Sequence, residues 1–145
     1  MKLIVVGTDG SPSSMTAVAT AAELAAGTKA ELHIVCVATL ARDLALRSFA
    51  PLSIPDDYDQ EAEDAADAAV KRAAQVAIDA GAKVVTHVRD GDASTELLAA
   101  CEELHADLLV VGSHGMTGAG RFLLGSVPNR CTHHATCSVL VARSA

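Results

Sequence analysis

The sequence predicts an α/β domain: an open, mostly parallel sheet of five strands with helices on both faces. Three observations predict it. Short apolar runs alternate with longer stretches of helical periodicity, in the order β-α-β-α-β-α-β-α-β. The first run is continuously apolar and ends in turn residues, the pattern of a parallel strand buried on both sides. Half of the residues are hydrophobic but only 2% are aromatic, so the core must be built from Ala, Val, Leu and Ile, which let helices lie close to a sheet. A length of 145 residues suits one domain, 1–145, with a self-sufficient core.

Each element has its own signals. "KLIVVGTD" opens with Leu3 to Val6 as the first strand. Ser11 is a good N-cap, Pro12 fits the first helical position, and Met15, Val18, Ala22 and Ala25 recur at helical spacing, with Gly27 as the expected stop. "ELHIVCVATL" is the second strand. Residues 40–58, with Pro51, Pro55 and the pair Asp56-Asp57, read as a surface excursion with room for a short helix early on. From about Gln60 to Ala80 an Ala-rich helix has acids first and Lys71-Arg72 later, which suits the helix dipole, and Gly81 ends it. "AKVVTHVRD" is the third strand. Asp92 or Ser94 caps the next helix, whose apolar stripe is Leu97, Leu98, Cys101 and Leu104. "DLLVV" is the fourth strand, "SVPNRCTHHA" a short helix capped by Ser126, and Ser138 to Arg143 the fifth strand.

Composition excludes several classes. The net charge is −7, with 18 acidic and 11 basic residues and no basic cluster, which disfavours a nucleic-acid partner because such binding draws on Lys and Arg against phosphates. No apolar run approaches the length of a membrane helix, and the N-terminal run is too short for a signal peptide, so a soluble, cytoplasmic protein is expected. Nothing points to secretion, so Cys36, Cys101, Cys131 and Cys137 are expected as free thiols, the first two as small buried hydrophobes.

Two loops at strand ends carry unusual residues: "GTDGS", 7–11, and "GSHGMTGAGRFLLGS", 112–126. In open α/β sheets ligands bind beyond the carboxyl ends of the strands. Gly112 and Gly115 flank Ser113 and His114 at a strand end, where missing side chains let backbone amides reach a ligand. Gly125 and Ser126 open a helix, whose free N–H groups and dipole favour an anion. The loop is no Walker A motif, since no lysine precedes Ser126, and "GTDGS" lacks the G-x-G-x-x-G spacing.

The spacing Gly112-x2-Gly115-x9-Gly125-Ser126 resembles the nucleotide-binding motif of the universal stress protein family, as do "VGTDGS", "DLLVVGSHG" and "VLVAR". The resemblance covers essentially the whole chain, with 40–60 as the variable part. It implies a Rossmann-like sheet of order 3-2-1-4-5, ATP as ligand with Mg²⁺ or Mn²⁺ on its phosphates, and a homodimer, often through the last strand. By the same resemblance Gly7, Thr8 and Asp9 line the adenosine end, and Cys36 or Val37 meets adenine. Gly112, Gly115, Gly125 and Ser126, flanked by Val111 and Val127, hold ribose and phosphates.

Other groups in and near these loops each admit two readings. Asp9 is either a turn residue or a ligand contact, the latter through a phosphate-bound metal ion. Arg121, the loop's one cation, either touches a phosphate or stays solvated. His114 reads as a loop residue whose backbone does the binding, ahead of a general base. His133, His134, Cys131 and Cys137 lack zinc-site spacing. No lysine, arranged base or pair of metal carboxylates accompanies the loop, so a nucleotide-dependent regulatory or stress-response module with little or slow hydrolysis is expected ahead of an ATP-hydrolysing or phosphoryl- or nucleotidyl-transferring enzyme. A phosphoacceptor domain fits less well, because "GTDGS" offers one acid where a pair is needed. A ligand-free dimer leaves the motif unexplained. The sequence names no protein partner.

Overall fold

In the computed structural model, which describes residues 1–40, 54–114 and 124–144, strand and helix alternate as the sequence predicts. The elements are β1 (Leu3–Gly7), α1 (Pro12–Thr28), β2 (Glu31–Ala38), α2 (Tyr58–Asp79), β3 (Lys83–Asp90), α3 (Ala93–Leu104), β4 (Leu108–Gly112), α4 (Ser126–His134) and β5 (Ser138–Ala142). The sheet order is β3-β2-β1-β4-β5, and every pairing is parallel.

Alternation along the strands feeds two cores. Ile4, Val6, Leu32, Ile34, Leu108 and Val110 face α1 and α2, while Val5, Val35, Leu109 and Val111 face α3 and α4. Alanine makes close packing possible: α1 buries Ala17, Ala21, Ala22 and Ala25, and α2 buries Ala66, Ala69, Ala73 and Ala77. The edge strand β3 is wetter, with Val85 and Val88 exposed, because among the described residues no strand pairs beyond it.

The helix ends refine the sequence reading. Ser11 caps α1, its side chain accepting from the Ser14 amide, and Pro12 occupies the first turn. Gly27 does not stop α1. It lies inside the helix on an open face, and Lys29 takes the left-handed conformation (φ 59°) while its N–H returns to the Ala25 carbonyl. The chain thus reverses through a lysine, two residues later than a glycine-based stop predicts. Helix α2 starts at Tyr58, two residues before Gln60. Asp92, not Ser94, caps α3 by accepting from the Thr95 amide at 3.0 Å. Gly125 is the N-cap of α4, so Ser126 is its first helical residue. Most of the 40–58 excursion lies outside the described residues. Among the described residues no helix is long and apolar enough to cross a membrane.

Candidate functional site

Strands β1 and β4 lie side by side, and the chain leaves them in opposite directions across the sheet, toward β2 and toward β5. A crevice opens over their carboxyl ends, as it does where strand order reverses.

The β1 side is a self-satisfied turn. Thr8 N continues the ladder to the Val35 carbonyl at 3.0 Å. Ser14 Oγ donates to the Ser11 carbonyl at 3.0 Å, and so accepts from Thr8 Oγ1, also at 3.0 Å. Thr8 Oγ1 in turn accepts from the Gly10 amide at 3.1 Å. Gly10 sits at φ +80°, where a side chain is strained. Asp9 Oδ1 accepts from the Ser11 amide at 2.9 Å, which aims an exposed carboxylate at the crevice mouth.

The β4 side approaches α1 closely. The His114 amide donates to Ser13 Oγ at 3.1 Å, and Ser113 N reaches the Ala142 carbonyl of β5 at 3.1 Å. The Gly125 amide donates to the Ser113 carbonyl at 2.9 Å, which brings the start of α4 back against the end of β4. A Cβ at Gly125 would stand 3.4 Å from that carbonyl oxygen. Among the described residues no side chain caps α4, and no acid occupies its first turn. Its leading N–H groups therefore keep their affinity for an anion.

These loops enclose one cavity of about 730 Å³ including its open mouth. Gly7, Thr8, Asp9, Val37, Val111, Gly112, His114, Gly125, Ser126 and Val127, all named from sequence, line it together. Cys36 does not. Alternation turns it to the α1/α2 face, where it meets a shallower cavity with Tyr58, and burial followed by the Asp9 charge pushes its thiol up to about 11. Ser113 is buried behind the wall, its Oγ 2.9 Å from His114 Nδ1. Gly115 and Arg121 lie outside the described residues. The wall also contains Ser14, Val35, Ala93, Leu97 and Pro128, which sequence reasoning did not select. Period-two alternation was a usable signal for Val35, which shares a face with Val37. Leu97 was visible only as a core residue of α3. The described wall has aliphatic side chains toward β2 and α3, and polar backbone toward β4 and α4. Asp9 is the only carboxylate on it, and neither lysine nor arginine is among its described residues.

Comparison with known proteins places this geometry. The model of the universal stress protein family matches residues 1–143. A universal stress protein of Mycobacterium tuberculosis is 36% identical over 144 residues, covering 99% of this chain and 97% of that protein. One from Methanocaldococcus jannaschii is 32% identical over 142 residues, covering 98% and 82%. A crystal structure of a universal stress protein in complex with cAMP superposes with a TM-score of 0.71 at 30% identity, covering 99% of this chain and 98% of the other.

Proposed function

Because the chain belongs to the universal stress protein family, we propose that its crevice binds an adenine nucleotide, ATP in the first instance, and that the protein works as a nucleotide-dependent regulatory module. The observation that carries this reading is the joining of an aliphatic slot, Val35, Val37 and Leu97, to the uncapped start of α4 within one cavity. The slot suits a flat purine, and the leading amides of α4, with Ser126 Oγ, suit a phosphate. Asp9 stands at the mouth, placed to meet a Mg²⁺ or Mn²⁺ ion carried in on the phosphates. Regulation then requires the nucleotide to bind two states of the protein with different affinity.

A second reading, cyclic AMP as the ligand, is favoured by the cAMP held in the related structure. A single phosphate charge asks less of a wall whose described residues include neither lysine nor arginine. Turnover is a third outcome, in which Asp9 would position metal and water. The edge strand β5, with Val139, Leu140 and Val141 half-buried, supports a homodimer through that strand. The four free cysteines fit a cytoplasmic setting.

Calorimetric titration of nucleotide-stripped protein with ATP and Mg²⁺, and separately with cyclic AMP, tests the proposal, with phosphate release followed on the ATP sample. Saturable ATP binding without sustained release supports the regulatory reading. Binding of cyclic AMP alone selects the second reading, and sustained release selects an enzyme. Silence with both, and with ADP and AMP, overturns nucleotide binding.

A further inference from the structure

Three of the four cysteines belong to the hydrophobic cluster between the sheet and the helices α3 and α4. Cys101 is on α3, Cys131 on α4, and Cys137 immediately precedes β5, all on the same face of the sheet. The backbone brings two of them together. The Ala106 amide donates to the Cys101 carbonyl at 2.9 Å as α3 closes, and Leu108, two residues on, is in register with Ser138. Cys137 therefore flanks the turn that Cys101 anchors. Both side chains belong to that one hydrophobic cluster, and burial, followed by Cys137, pushes the Cys101 thiol up to about 12. Access differs sharply. Cys101 and Cys131 are 3% and 0% exposed, whereas Cys137 is only half-buried.

We propose that Cys137 and Cys101 form a peroxide-responsive dithiol, in which Cys137 meets the oxidant and Cys101 closes the product into an intramolecular disulfide. In the first step the Cys137 thiolate attacks one peroxide oxygen. The O–O bond breaks, Cys137 is oxidised by two electrons to the sulfenic acid, and the peroxide is reduced, its second oxygen leaving as hydroxide that takes up a proton. In the second step the Cys101 sulfur attacks the Cys137 sulfur. The S–S bond forms, the S–O bond breaks, and the departing hydroxide takes the Cys101 thiol proton as water. Burial shields Cys101 from direct oxidation while the register of β4 and β5 keeps it in the same cluster as Cys137. Leu97, one turn before Cys101, forms part of the crevice wall, so the bridge would clamp to β5 the helix that builds that wall. In a reducing compartment the bridge is reversible, as a sensor requires.

The test is hydrogen peroxide treatment of the reduced full-length chain, followed by alkylation, proteolysis and mass spectrometry. The expected result is a cross-linked Cys101–Cys137 peptide pair, with Cys36 and Cys131 alkylated. Cys101→Ser should leave a sulfenic acid on Cys137 that dimedone traps, and Cys137→Ser should give neither product. The proposal is overturned if all four thiols of the wild-type chain remain alkylatable, or if Cys137 bridges to Cys131 or to a second copy of the chain. The wild-type map decides these outcomes even where a variant folds poorly.

Discussion

The His114 amide donates to Ser13 Oγ at 3.1 Å, joining the exit of β4 to the first turn of α1 across 101 residues. Gly112 makes this contact possible. A Cβ there would stand 2.7 Å from both the carbonyl oxygen and the Oγ of Ser13. The carbonyl belongs to a helix and cannot step aside as a side-chain tip can. Gly112→Ala should therefore break the junction and destabilise the fold by roughly 1–3 kcal/mol, the usual cost of overpacking. Urea unfolding measures it. An unchanged midpoint would show that the two loops part without cost.

Gly7 meets a softer neighbour. Its Cβ would lie 2.8 Å from Leu97 Cδ1, the end of a side chain that can rotate. Gly7→Ala should cost less stability than Gly112→Ala, but it crowds a wall that both residues share. Nucleotide affinity should fall, and adding Leu97→Ala should recover part of it. Calorimetry on the two single variants and the double variant supplies the coupling, which is absent if the residues act independently.

These two glycines show what sequence could and could not convey. The spacing around Gly112 and Gly125 advertised a close backbone approach, and the helical and strand runs advertised the elements that carry it. The partners of that approach were invisible, because Ser13 and Leu97 sit in ordinary helical periodicity and meet the glycines only through the sheet order. That order rested on family resemblance, since local pattern does not say which strands pair. The resemblance offers Cys36 or Val37 for the crevice, and alternation, which turns neighbouring strand residues to opposite faces, sends Val37 there and Cys36 away. Gly27 misled for a different reason: glycine permits a left-handed stop without requiring one, and Lys29 adopted it.

Asp107 holds the start of β1. Its Oδ2 accepts from the amides of Lys2 and Leu3 at 2.7 and 3.0 Å, and these two bonds, Lys2 first, lower its pKa below the ordinary 3.8. A carboxylate depressed in the folded state stabilises the fold at pH above its unfolded value, and that contribution is lost as pH falls through the folded one. Asp107→Asn should therefore flatten the acid limb of the stability–pH curve below about pH 4. Thermal melts across that range compare the two proteins. Parallel acid limbs would show that the bonds form equally well in the unfolded chain.

A second pH dependence lies higher and comes from a histidine pair. His33 on β2 is 5% exposed, and its Nε2 lies 2.5 Å from Glu31 Oε1 while its Nδ1 lies 2.7 Å from His87 Nε2 on β3. The carboxylate can only accept, so the His33 proton sits on Nε2 and leaves Nδ1 as an acceptor. His87 must then donate from Nε2, and an additional proton goes to its Nδ1. Burial, then His33, then Arg89 oppose that proton and lower the His87 pKa below 6.5, with Glu103 from α3 acting the other way. The unfolded chain thus binds the proton more readily than the native one. Stability should be level above pH 6.5, fall as pH drops below it, and level again beneath the folded pKa of His87. His87→Gln retains a side-chain donor and removes the titration, so its urea midpoint should change less between about pH 7.5 and pH 5 than that of the wild-type chain. Equal changes in the two proteins would assign the slope to another group.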